Sequence, residues 1–290
     1  MQAHTLLATT PATLAQIATP LLLFCSTHVG LSAVREPIIS SLGRTANQLG
    51  AVGTGATLPD WVLSSTDGSA LWQTPDVAGR QLFRVLYSLV AAGTLAASFE
   101  AYAAAHEPIG LTPTEALTAH PAAFALATAA QAISIASLAN PSPLSLVPAF
   151  TSTEDGTGLQ RDDTLKLRPF GWTRVTRHPL ILPVLPWSLG NAILAGAAPQ
   201  DILLFGGLGI YAVVGCWAQD QRAKESAAVG TVFARGDLTN FYRDTSFVPA
   251  VALLDGRQML REVAAEVNWS VLAGALLLSA LIEARTVAAF

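Results

Sequence analysis

Apolar residues along this chain are gathered into long runs, separated by segments rich in Arg, Asp, Gly, Ser and Pro. A helix needs about 20 mostly apolar residues to cross the hydrocarbon of a bilayer. Runs of that kind occur at Pro11–Val34, Leu82–Ala105, Ala119–Ala139, Leu180–Ala198, Ile202–Ala218 and Val267–Ile282. They predict an all-α, polytopic transmembrane bundle of about six spans, with both termini on the same side. The fourth and fifth spans form a hairpin, because only Ala198-Pro199-Gln200-Asp201 separates them. The sixth starts among polar residues, Glu266 and Asn268. No internal repeat is visible, which argues against an inverted-repeat transporter. The chain reads as one transmembrane domain over 1–290, with extended loops at 45–79 and 219–261.

Charge sharpens that picture. Charged residues make up only 12% of the 290 positions, about half the share of a soluble domain. The mean hydropathy is +0.45, so the apolar surplus must face lipid. Six spans place Arg35, Arg44, Arg80 and Arg84 by the first loop, and Arg161, Lys166, Arg168, Arg174 and Arg177 in the third. Arg222, Lys224, Arg235, Arg243, Arg257 and Arg261 fall in the fifth, leaving Arg285 alone on the other side. The positive-inside rule then puts the three long loops inside. In a mitochondrion they would face the matrix, in a bacterium the cytoplasm. A net charge of −4 leaves no basic stripe for nucleic acid. No basic residue precedes the first apolar run, which argues against a cleaved secretory signal.

Ionisable groups within spans are costly and mark candidate sites. His28 lies late in the first span and suits a haem iron, a metal or a hydrogen-bond partner. Glu100 in the second span reads as a protonated or paired carboxyl facing the bundle. Thr176-Arg177-His178-Pro179 precedes the fourth span, with proline suited to a first helical turn. Arg174, Arg177 and His178 there would receive a carboxylate, a lipid phosphate or a haem propionate, or serve only as an interfacial anchor. Pro183 and Pro186 predict a kink further along that helix. His4, His106 and His120 read as interfacial residues, and Trp61 and Trp72 as residues at headgroup level. Cys25 and Cys216 sit in apolar runs and read as small hydrophobes. Neither belongs to a CxxC pair, and no P-loop, HExxH or Ser/His/Asp set is present.

Four blocks, in order, resemble the NnrU family, whose relatives include the 15-cis-zeta-carotene isomerases. They are Leu23-Phe24-Cys25-Ser26-Thr27-His28 with Arg35, and Phe83-Arg84-Val85-Leu86-Tyr87-Ser88-Leu89. Next comes Trp172-Thr173-Arg174-Val175-Thr176-Arg177-His178-Pro179 leading to Trp187. The last runs from Asp220-Gln221-Arg222 through Thr245-Ser246-Phe247-Val248-Pro249-Ala250 to Gly256-Arg257. The resemblance implies a haem b held between histidines, with His28 as one ligand and His178 as a remnant of the site. The second ligand is expected shortly after the tryptophan of the fourth span, but the chain reads Trp187-Ser188-Leu189-Gly190-Asn191. An amide nitrogen has no free lone pair for iron, so Asn191 removes the two-histidine haem. Arg-His-Pro at a span entry also resembles the isoprenylcysteine carboxyl methyltransferases. Leu180-Ile181-Leu182-Pro183 lacks the Tyr-x-Gly that would cradle S-adenosylmethionine there.

These readings converge on a non-catalytic NnrU-like protein serving as an accessory subunit of a larger membrane assembly, such as a respiratory complex. Its expected partners are membrane lipids and other integral membrane subunits, in the mitochondrial inner membrane or alternatively a bacterial cytoplasmic membrane. No cofactor is expected. The alternative is a haem b-dependent isomerase or redox enzyme built on His28, and a membrane methyltransferase comes third.

Overall fold

The computed structural model describes residues 10–52, 75–106, 112–144, 149–152, 159–225, 228–229, 233–234 and 238–289. His4, Trp61 and Trp72 lie outside them. The chain divides into two units, one spanning Pro11–Ala104 and the other containing Ala105–Phe290.

The first unit holds helices α1 (Pro11–Ala33), α2 (Arg35–Val52) and α3 (Pro75–Ala105). Ile17, Leu21 and Phe24 are buried on α1, while Leu22 and Leu23 are exposed on its other side. That spacing is the stripe of an amphipathic helix, although here both faces are apolar. On α3, Leu82, Val85, Leu86, Leu89 and Val90 are exposed, a surface suited to lipid rather than water. Helix α2 replaces part of the predicted first loop. Its charges hide it from a search for apolar runs, yet Ile39 is buried, and Gly79 of α3 lies against the Ile39 carbonyl.

The second unit carries α4 (Pro113–Ala119), α5 (Pro121–Ser137) and α6 (Val184–Leu194). A continuous helix α7 follows, made of Pro199–Asp201, a π-helical turn at Ile202–Gly206, and Gly207–Glu225. After it come short α8 (Thr239–Asp244), α9 (Val251–Leu254) and α10 (Leu260–Glu266), then the long α11 (Trp269–Ala289). Two small antiparallel hairpins lie outside the apolar helices: β1 (Phe150–Ser152) with β2 (Leu159–Arg161), and β3 (Ala228–Val229) with β4 (Phe233–Ala234). Helix α5 is the hub of the apolar core. Its Ala123 and Ala127 pack with Leu194 of α6 and Val287 of α11, and its Ala132 and Ala136 with Ala275.

Among the described residues, four helices are long and apolar enough to cross a membrane: Pro11–Leu31, Leu82–Ala105, Pro199–Lys224 and Trp269–Ala288. Shorter apolar helices, Pro121–Ser137 and Val184–Leu194, stand where the third and fourth spans were expected. The fold is therefore that of an all-α membrane protein.

The fourth span is the one that changes most. Leu180–Ala198 was expected as helix, yet Pro179–Pro183 form turns and the helix begins only at Val184. Proline lacks the N–H that a helix interior requires. Pro183 thus becomes the residue before the helix, and Pro186 sits in its first turn rather than at a kink. Positive φ at Gly196 and Ala197 ends the segment early.

Candidate functional site

The Thr176-Arg177-His178-Pro179 segment lies among elements far from it in sequence. A 3-10 turn at Gly171–Arg174 precedes it. The Ala250 N–H donates to the Val175 carbonyl (2.8 Å), and the Arg177 N–H to the Ser246 carbonyl (3.0 Å). The Thr176 hydroxyl donates to the Phe247 carbonyl at 2.9 Å. Ala250 adopts φ 65° to start α9. The third and fourth blocks of the resemblance thus meet as one backbone-paired structure.

Two charge centres sit on this frame, and Asp220, near the end of α7, is the anion of the first. Arg177 Nη1 donates to its Oδ2 at 3.1 Å, and His178 Nε2 lies 2.7 Å from its Oδ1. Tyr242 Oη donates to the same Oδ1 at 3.4 Å, and its ring lies under the guanidinium, 4.8 Å away. Arg177 Nη2 donates to the Thr245 carbonyl at 2.9 Å. Arg177, His178 and Asp220 are all buried. Burial, reinforced by the Asp220 charge, pushes the Tyr242 phenol up, so it stays protonated and can donate. The carboxylate that Arg177 and His178 hold is therefore one of the protein's own.

Arg174 forms the second centre. Its Nε and Nη2 donate to Glu266 Oε2 and Oε1, each at 2.7 Å, and Nη1 reaches Glu262 Oε2 at 2.9 Å and Gln258 Oε1. Two parallel N–H···O bonds give a rigid fork. The Gly171 N–H adds a bond to Glu266 Oε2 at 2.7 Å. Gly171 itself holds φ 53°, with the Asn140 side chain where a Cβ would stand. Partial burial opposes ionisation of Glu266, but the Arg174 and Gly171 bonds outweigh it and lower its pKa. The Glu266 bond in turn raises the pKa of Arg174.

A depressed carboxyl stabilises the fold at pH values above its unfolded pKa of about 4.3, and loses that contribution as pH falls through its folded value. In thermal unfolding, Glu266→Gln is expected to melt lower than wild type at neutral pH, and the gap is expected to close towards acid. A gap independent of pH would count against the pair.

A third polar centre lies inside the apolar core. Trp187 Nε1 donates to Glu283 Oε1 at 2.7 Å, and Asn191 Nδ2 donates to the Trp187 carbonyl at 3.1 Å. Asn191 stands beside the Glu283 carboxyl. Glu283 falls one residue beyond the sixth apolar run, Val267–Ile282, and so outside the predicted span. The signal that finds it is the helical spacing Ser279, Glu283, Val287 at i, i+4, i+8, all buried.

Other expected residues are dispersed. His28 is half-buried in the first unit, its ring 4.4 Å from that of Tyr87 and 5.5 Å from that of Phe24. Tyr87 Oη donates to the His28 carbonyl at 3.0 Å. Glu100 is exposed on α3. His106, read as interfacial, instead pairs with buried Asp201, Nδ1 to Oδ1 at 3.1 Å. Among the described residues, no group of three or more His, Cys, Asp or Glu could hold a metal ion.

Apolar helices able to span a bilayer, joined to a charged frame of Arg174, Arg177, His178, Asp220 and Glu266, define a polytopic helical membrane protein. The chain belongs to the NnrU family, whose model, described as NnrU protein, matches residues 63–285. No curated protein and no solved structure matches it. The residues do not fit a haem held between two histidines. The Asn191 amide nitrogen already donates to a helix carbonyl, and the His178 Nε2 is taken by Asp220.

Proposed function

We propose that this NnrU-family protein is a non-catalytic accessory subunit of a larger membrane assembly. The observation that carries the reading is the state of Asn191, where the resemblance places a haem-ligand histidine. It is buried and its amide is committed to the Trp187 carbonyl. The frame supports the same reading. Arg174, Arg177 and His178, suited by position to an anion, are bonded to Glu262, Glu266 and Asp220. Charges matched within the chain brace a scaffold and leave little for a substrate. Lipids and neighbouring membrane subunits are the partners this reading implies, and the mitochondrial inner membrane is the location we favour.

The test is a visible absorption spectrum, oxidised and dithionite-reduced, of the protein purified in mild detergent, with its native mass recorded. A colourless protein travelling in a complex much larger than its own 30.2 kDa is expected. A stoichiometric Soret band that shifts on reduction and vanishes in His28→Ala would overturn the proposal in favour of a haem enzyme on His28.

A further inference from the structure

The interior of the α5–α6–α11 core holds more polar atoms than the packing uses. Glu283 is 1% exposed, and Asn191 and Ser279 are 0% exposed. Glu283 Oε2, Asn191 Oδ1, Ser188 Oγ, Ser279 Oγ, Thr128 Oγ1 and Gln131 Oε1 are buried atoms without a hydrogen-bond partner. Packing of Ala132 and Ala136 on Ala275, and of Ala123 and Ala127 on Val287, runs α5 and α11 antiparallel. Thr128 and Gln131 therefore fall at the level of Ser279 and Glu283. Asn191 enters from α6 and stands beside the Glu283 carboxyl, while Ser188 lies against Gly209 of α7.

Each unmet atom in this layer is an oxygen. Buried acceptors left unmet each carry a desolvation penalty, and an isolated carboxylate in an apolar interior carries a far larger one. Among the described residues, no guanidinium or ammonium offsets it here. Helices α5 and α6 contain no titratable side chain. Arg285 is exposed and lies two residues from Glu283, on a different side of α11. Glu115 and His120, at the near end of α5, are exposed. On α7, which packs against α6, Asp201 is engaged by His106 and Asp220 by Arg177. The Ser279 and Thr128 hydroxyls can donate as well as accept, but they are neutral, and the charge of an ionised Glu283 is offset only by a cation or by protonation. An oxygen-only donor set with a single carboxylate suits a hard cation carrying one charge.

We propose that Glu283 is a cation-binding carboxyl of the membrane core, taking up a proton or a sodium ion at Oε2, at the level of the Ser279, Thr128 and Gln131 oxygens. Trp187 fixes one carboxyl oxygen through its indole N–H, which leaves Oε2 to carry the cation. Asn191 lies in the last turn of α6, just before the turn at Ala195–Ala198. The site is thus within about one helical turn, roughly 5 Å along the axis, of that helix's end.

Infrared difference spectra of the full-length protein in detergent, taken between about pH 5 and pH 9 to bracket buried carboxyls, test this. Spectra are recorded in sodium chloride and in choline chloride at equal ionic strength. The carbonyl stretch of a protonated carboxyl is expected at the acid end and absent in Glu283→Gln. If sodium is an occupant, it suppresses that band and raises the unfolding temperature of wild type but not of Glu283→Gln. A band that titrates indifferently to sodium identifies the proton as the cation. Should Glu283→Gln fail to fold, Trp187→Phe, which removes the indole donor, must shift the same band to higher wavenumber. A band unmoved by Trp187→Phe, or spectra and unfolding temperatures that respond to neither pH nor sodium at Glu283, would overturn the proposal.

Discussion

Asp220→Ala is expected to lower the stability of the protein by about 3–5 kcal/mol, the usual cost of removing one member of a buried ion pair. Without the carboxylate, the Arg177 guanidinium and the His178 imidazole remain buried with no anion between them. Tyr242 loses the acceptor of its hydroxyl as well. Equilibrium unfolding in mixed micelles, followed by tryptophan fluorescence, measures the loss. Arg177→Met in the same background is expected to recover part of it, because the unmatched cation is then gone. A loss below about 1 kcal/mol, the range of exposed pairs, would mean that the centre is solvated and does not brace the fold.

Gly190→Leu is expected to have an effect of similar size by a different route. A Cβ at Gly190 would stand 2.7 Å from the Ala123 carbonyl oxygen and 2.9 Å from the Ala127 Cβ. Both neighbours belong to the face of α5 that packs on α6, and neither is a flexible side-chain end. Gly190→Ala already forces the two helices apart, at about 1–3 kcal/mol for an overpacked contact. Leucine adds three further carbons to the same gap and is expected to exceed that range. The same unfolding assay ranks wild type, Gly190→Ala and Gly190→Leu. Equal stability for all three would show that the helices separate without cost.

The apolar runs at Pro11–Val34 and Leu82–Ala105 were legible from the sequence because a long stretch in lipid needs little beyond length and apolarity. The structure agrees with both almost to the residue. Helix α2 was not legible, since charge at Arg35, Glu36 and Arg44 breaks the apolar pattern without breaking the helix. The start of α6 depended on how Pro179, Pro183 and Pro186 share their missing donors, and composition alone does not rank them.

For the candidate site, the residue types and their order were set by the sequence alone. It placed Arg174, Arg177 and His178 before a membrane helix, in position to receive an anion, and it placed Asn191 where a histidine was expected. Which anion they meet was decided only by tertiary structure. Asp220 and Glu266 lie 43 and 92 residues from Arg177 and Arg174, and pairing over such separations comes from the docking of distant elements. Glu283 follows the same logic. Its position on α11 is local information, but its burial exists only because α5, α6 and α11 close around it. A carboxyl at the edge of an apolar run reads as a helix end until its neighbours are in place, and the packing then encloses it in the core.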